Sequence, residues 1–279
     1  MTRIDKAQLA AHFGRRVRSY DEATPVQARM ATTLVAKARA HFAGRSIARI
    51  LELGCGTGRM TRQLESAFPE ARITAVDISP EMIGHARAAS ARVDFRVADA
   101  EVHLLHDAGD YDLVVSNAAA QWFEDATTAF ARARARLVPG GLLAIATFGE
   151  QTFRELRHAF ELAYAATGVA PVEHVVPMRS AESWRRDFPD AEVVEQMRSK
   201  VFPGVAEFLR SVQAAGAVNS LAGRHFLSRA VLRAMMERYA ALYGSAEAGG
   251  VGATYHVVYI HVPGPSGRQQ DRVPADGRR

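Results

Sequence analysis

The stretch "LELGCGTGRM", residues 51–60, decides the fold. An apolar run of strand character, "ARILELG" (48–54), ends in a glycine, and glycines recur at 56 and 58 before Met60, Leu64 and Phe68 fall on one helical stripe. Glycines at such a junction let the backbone turn sharply and approach a ligand, while the helix that follows offers unpaired N–H groups at its start. Two phosphate-binding loops are excluded. A dinucleotide fingerprint needs glycine at 59, where Arg59 stands, and the lysine of a Walker loop is missing. A structural tight turn is the plain alternative at this point.

Outward from this stretch, strand-like and helix-like runs alternate from 48 to 148, which predicts an α/β unit with parallel strands and crossover helices. Further strands are expected at 72–79, 93–99, 111–117 and 141–148. Ser79 is placed to cap a helix with Pro80 at its first position and Glu81 near its positive end. Another helix, 125–138, is expected to stop at "PGG" (139–141). Asp77 closes the second strand 23 residues beyond Gly54, close to the spacing of about 20 at which an acidic side chain meets ribose hydroxyls. The segment "SNAAAQW" (116–122) leaves a buried-looking strand with Asn117, Gln121 and Trp122 in a connection poor in turn residues, which points to a ligand site.

Beyond 149 the alternation stops. Helices are expected at 150–167, around 181–188, at 205–218 and at 228–244, with strands near 191–202 and at 254–262. Residues 263–279, rich in Pro, Gly and Arg, are expected to be a disordered tail. That tail carries part of the formal charge of +5, leaving a body of +3, too little to argue for nucleic acid. No Arg/Lys stripe is interleaved with aromatics, as a nucleic-acid surface would need. The lone cysteine, Cys55, excludes an intramolecular disulfide and reads as a packing residue; a reducing compartment, the cytoplasm, is expected, with no secretory leader and no membrane span. Ten histidines are scattered without metal-ligand spacing, so no metal is expected.

The tight glycine spacing, with Glu52 two residues before Gly54, resembles the S-adenosylmethionine site of class I methyltransferases, whose Rossmann-like sheet is mostly parallel with a C-terminal antiparallel strand. The resemblance implies that Glu52, Gly54, Gly56 and Gly58 hold the methionine end, Asp77 and Ile78 the ribose, and Asp99 and Ala100 the adenine, with Asn117 lining the cleft near the methyl group. "SNAAAQWF" lacks the prolines and tyrosine of an amide-binding "NPPY" motif. It is similar instead to the "SNxAxQW" segment of the malonyl acyl-carrier-protein O-methyltransferase family of biotin synthesis. "AAHFGRRVRSYDEAT" (10–24), "FGEQTFRELRHAF" (148–160) and "TYHVVYIHV" (254–262) fall in that family's order, so the resemblance spans about residues 8–262.

Membership would imply methylation of the free carboxylate of malonyl-acyl carrier protein, with the carrier as partner, no nucleic acid or membrane, and a monomer. A methyltransferase for a free small carboxylic acid, of the trans-aconitate type, is the competing reading. A carboxylate is ionised at neutral pH, so no general base is required; it does need a cation, and arginine suits it. On a helix from Phe13 to Tyr20, Phe13, Val17 and Tyr20 share a face with Arg16 four residues before Tyr20, whereas Arg15 is the residue matching the family stretch. Arg15, Arg16, Tyr20, Gln121 and Trp122 are therefore the candidate substrate-binding residues. The arginines have a solvated helix face as their alternative, Tyr20 has core packing, and Trp122 has anchoring of the helix that follows. His256 is expected to be a structural hydrogen-bonding residue. The expected organisation is an N-terminal helical cap (1–45), a cofactor-binding core (46–148), helical lid insertions (149–250) containing one core strand near 191–202, a final core strand (251–262) and the tail.

Overall fold

The structure, a computed structural model, describes residues 5–214, 228–245, 247 and 249–265. Three helices open the chain: α1 (Lys6–Gly14), α2 (Val17–Ala23) and α3 (Pro25–His41). The expected continuous helix from Phe13 to Tyr20 is broken. Gly14 ends α1 where a β-carbon would collide with the Glu81 carboxylate, and Arg15 and Arg16 form the junction to α2. Then follow β1 (Arg49–Leu53), α4 (Arg59–Ala67), β2 (Arg72–Asp77), α5 (Pro80–Ala89), β3 (Asp94–Val97), α6 (Ala100–His106) and β4 (Tyr111–Asn117). A 3-10 turn, Ala120–Trp122, leads to α7 (Ala126–Ala135) and β5 (Leu137–Phe148). The Ser79 hydroxyl accepts from Met82 N at 3.3 Å, with Pro80 and Glu81 in the first turn of α5 as the capping pattern requires.

The "PGG" segment does not stop α7. The helix ends at Ala135 and Pro139–Gly141 lies inside β5, where pairing with β4 jumps from Tyr111 with Leu137 to Leu113 with Leu142. The glycines there make a bulge within a strand, a feature with the same composition as a stop. The chain continues through α8 (Arg154–Thr167), α9 (Ala181–Asp187), β6 (Glu192–Phe202), α10 (Val205–Ala214), α11 (Arg229–Tyr243), β7 (Gly244–Ser245) and β8 (Gly250–Pro263). Pro263 belongs to β8 and Gly264 N donates to Gly141 O at 2.8 Å, so the expected tail begins later than 263; residues 266–279 lie outside the described residues, as does the end of the helix expected at 205–218.

The strands form one sheet in the order β3-β2-β1-β4-β5-β8-β6, with β7 paired to β8. β1 to β5 pair in parallel, and β8 is antiparallel to both β5 and β6. Alternate residues bury on opposite faces. Ile50, Leu113, Ala144 and Ala146 pack with Leu34 of α3, Phe160 of α8 and Met235 of α11. Leu51, Val114, Leu143 and Ile145 pack with Leu104, Phe130 and Trp184 on the other face. Both faces being covered explains why these strands read as continuous apolar runs. It also corrects one expectation about the lid: α8 and α11 carry amphipathic stripes that bury against the sheet and belong to its core. Among the described residues no helix is long and apolar enough to cross a membrane.

Candidate functional site

The carboxyl ends of β1 to β5 share one edge, and the strand order reverses between β1 and β4, the place where open α/β sheets hold ligands. There the loop Gly54–Gly58 turns with φ of +77°, +55° and +76° at its three glycines, a region closed to most side chains. Gly54 lies so near Ala119 that a β-carbon would sit 2.4 Å from that methyl, whereas one on Gly56 would meet nothing within 4 Å and would project into open space. Gly58 lines none of the cavities at this edge. It is the N-cap of α4 and lets that helix pack on Ala86 of α5.

The cleft beside this loop is lined by Gly54, Gly56, Asp77, Ile78, Asp99, Ala100 and Asn117, and it encloses about 90 Å³. Asp77 Oδ2 accepts from Gly56 N at 2.8 Å and Oδ1 from Ser79 N at 2.9 Å, so one carboxylate fixes the loop and the start of α5. Burial raises its pKa against these hydrogen bonds. Glu52, fully buried on β1, accepts from the Thr61 hydroxyl at 2.6 Å; burial pushes its carboxyl from the ordinary 4.5 to about 8, with the nearby Asp77 adding to the shift. Glu52 opens onto a side recess of about 50 Å³ that shares Tyr20, Gly54, Gly56, Asn117 and Ala118 with the cleft. Asn117 Nδ2 donates to Gln27 O at 3.1 Å, while its buried Oδ1 has no partner among the described residues. The next residue, Ala118, is held at φ +53°, a strained conformation at the edge of the site.

Lys6, Leu9, Phe13 and Tyr20 of the N-terminal helices, the segment expected as a cap, line the cleft, and the contacts that hold them there were not disclosed by the sequence. Lys6 Nζ bonds Asp99 at 2.5 Å and also Glu101, and those acceptors raise its pKa despite the opposing effect of burial. Arg59, the residue that breaks the dinucleotide fingerprint, donates to Asp21 O at 2.5 Å and Thr24 O at 3.2 Å, and the Thr57 hydroxyl donates to Asp21 at 2.7 Å. The glycine loop is thereby tied to α2. Phe13 packs edge-on against both Tyr20 and Trp122, at 5.9 and 5.8 Å between ring centroids. Trp122 thus anchors α1 rather than the helix that follows it, while still lining the cleft. Cys55 is buried and its thiol is pushed well above its ordinary pKa by burial and by Asp77, as befits a packing residue.

Past Tyr20, Ala118 and Trp122 lies a small chamber of about 20 Å³ whose other walls are Gln27, Gln121, Phe148, Phe153, Val176, Met178 and Tyr255. Every lining side chain is neutral. Burial, together with Asp77, keeps the Tyr20 hydroxyl protonated. Gln121 bridges Ala118 O (2.7 Å) and the Thr147 hydroxyl (3.0 Å). Arg15 is exposed and Arg16 half-buried, and neither side chain lines the cleft, the recess or the chamber. His256 is buried, with Nε2 3.0 Å from Glu195 and Nδ1 accepting from Gln151 N at 3.3 Å, a structural role that joins β8, β6 and the turn after β5. Among the described residues no group of acidic, histidine or cysteine side chains is arranged to hold a metal ion.

A family model described as a methyltransferase domain matches residues 50–141, from β1 into the bulge of β5. A malonyl-acyl-carrier-protein O-methyltransferase of Anoxybacillus flavithermus is 35% identical over 262 residues, covering 93% of this chain and 98% of the relative. The chain belongs to the malonyl-acyl-carrier-protein O-methyltransferase family. Another member of that family, from Geobacter sulfurreducens, is 37% identical over 266 residues, covering 92% of this chain and 98% of the relative. Because the malonyl-acyl-carrier-protein O-methyltransferases align nearly end to end with this chain, the N-terminal helices and the segment after β5 are part of the family unit. The YcgJ protein of Bacillus subtilis has the same fold, with a TM-score of 0.57 over 85% of this chain and 100% of its own, at 14% identity.

Proposed function

We infer that the protein methylates the free carboxylate of a malonyl thioester borne on acyl carrier protein, using S-adenosylmethionine. The observation that carries this reading is an acid-lined cleft opening into a chamber with wholly neutral walls. Membership of the family supports the choice of substrate.

The residues present fit the methyl donor. The open space at Gly56 gives its backbone room beside the loop, and the unpartnered Asn117 Oδ1 offers an acceptor at the junction with the recess. Asp77, half-buried beside the loop, favours a cationic ligand, since an opposite charge in a low-dielectric site is worth far more than in water, while buried Glu52, its carboxyl raised to about 8, offers a hydrogen-bonding group. Asp77 with Ile78 would hold the ribose and Asp99 with Ala100 the adenine, while Glu52 and the glycine loop would hold the methionine end. S-adenosylmethionine bound there supplies an electrophilic methyl group on a sulfonium.

The remaining work falls to the chain. A malonyl carboxylate is already an anion at neutral pH, so the chamber needs no base and has none. Tyr20 and Gln27 present neutral donors that orient one carboxylate oxygen without competing for its charge, and Trp122, Phe148 and Phe153 exclude water. Product ester is uncharged and loses its attraction to the site. Incubation with methyl-labelled S-adenosylmethionine and malonyl, succinyl or acetyl carrier protein should place base-labile label on the malonyl carrier. Label on the acetyl carrier, or on none of the three, would overturn the assignment.

A further inference from the structure

The chamber as it stands has room for roughly one or two waters, since one water needs about 10–15 Å³. A malonyl group must therefore displace a wall. On one side that wall is Tyr20 and Trp122 packed on Phe13, and on another it is Phe153 and Tyr255 of the core. The third wall, Gln121 with Phe148 and Val176, backs onto a groove of about 920 Å³ between the 3-10 turn with α7 and the segment 176–187. We propose that this groove is the channel through which the thioester arm of the substrate reaches the chamber, with Gln121 as its gate. The proposal rests on the malonyl-thioester reading and deepens it by naming the route.

The gate is inexpensive to open. Two neutral hydrogen bonds hold Gln121, and the amides of an entering arm replace them. Phe148 and Val176, by contrast, are buried core residues with nowhere to go. The groove is lined by Thr127, Ser180 and Ser183, whose hydroxyls are bonded to Asp187, Ser183 N and Ser180 O, beside apolar Pro177 and Phe123, a mixed lining suited to a thin chain of alternating amides and methylenes. Its charge also discriminates. Arg179 and Asp187 pair with each other, which leaves Glu124 and Asp125 against Arg186, an excess of one negative charge. A neutral arm trailing a leading carboxylate passes at little cost, whereas a small dicarboxylic acid carries a second negative charge into that acidic lining.

The test uses Thr127, exposed at the groove and away from the chamber. Thr127→Trp should raise KM for malonyl carrier protein about tenfold or more, while KM for a malonyl thioester of a short thiol such as N-acetylcysteamine, and the dissociation constant of S-adenosylmethionine, change by less than about threefold. An unchanged carrier-protein KM in a folded variant overturns the channel. Should that variant fail to fold, Thr127→Cys gives a second measurement, because the native Cys55 is buried. Malonyl carrier protein added with S-adenosylhomocysteine should slow maleimide labelling of the new thiol about fivefold or more by covering it, and an unchanged rate overturns the proposal. If the wild-type protein methylates neither malonyl thioester, it is the functional reading that fails.

Discussion

At the scale of single residues, the site turns on two acids, Asp77 half-buried and Glu52 buried, with different tasks. Asp77 organises the glycine loop through Gly56 N and Ser79 N, and it is the acceptor proposed for the ribose. Asp77→Ala should weaken S-adenosylmethionine binding at least about tenfold by calorimetry, because hydrogen bonds to a charged group are worth about 1.5–3 kcal/mol each. Unchanged affinity would refute its placement at the cofactor. Glu52 poses a linkage question. Its carboxyl is raised from 4.5 to about 8, so the fold favours the protonated form, and the stability this contributes is complete below about pH 4.5 and lost as pH rises toward 8. Glu52→Gln keeps an acceptor for Thr61 without the ionisation, so its melting temperature relative to wild type should climb between pH 5 and about 8. A difference that does not vary with pH would contradict a Glu52 carboxyl raised to about 8. The glycines, Glu52 and Asp77 were legible in sequence because strand ends and tight turns impose local patterns. Arg16 is a candidate on one helix running from Phe13 to Tyr20, which breaks at the Arg15–Arg16 junction, and Arg15 on the family stretch alone; neither side chain reaches the cavities.

At the scale of elements, the N-terminal helices act as a cap held by few bonds. Lys6 pins α1 to Asp99 and Glu101, and Arg59 with Thr57 pins α2 to the glycine loop. A partly exposed ion pair is worth about 0.2–1 kcal/mol, so Lys6→Ala should speed S-adenosylmethionine release by about two- to fivefold in stopped-flow measurements, with the difference shrinking as salt is added. Equal release rates at low salt would show that α1 does not restrain the cofactor. Lys6, Asp21 and Gln27 carried no sequence signal, because a cap residue is chosen by what it meets across the cleft and not by its neighbours in the chain. The same limit appears in β5. Gly140 and Gly141 signal a break in regular structure, but whether that break ends a helix or bulges a strand depends on pairing with Tyr111 and Leu113.

For the whole molecule, the alternation of strands and helices from 48 to 148 was enough to read the parallel half of the sheet. The second half was less legible, since β6 and β8 are long antiparallel strands whose order is set by tertiary pairing. The helices of that half looked like a detachable lid, yet α8 and α11 complete the core, leaving the segment 176–187 to flank the site. Cleft and chamber share walls, as do chamber and groove, and a substrate tethered through a neutral arm matches that series better than a free acid does. The most direct test is the ratio of kcat/KM for malonyl carrier protein to that for free malonate, with S-adenosylmethionine saturating. The series of cavities requires the carrier-borne substrate to be favoured by about a thousandfold or more, as expected when remote binding energy positions the reacting group. Equal values, or a preference for free malonate, would contradict it.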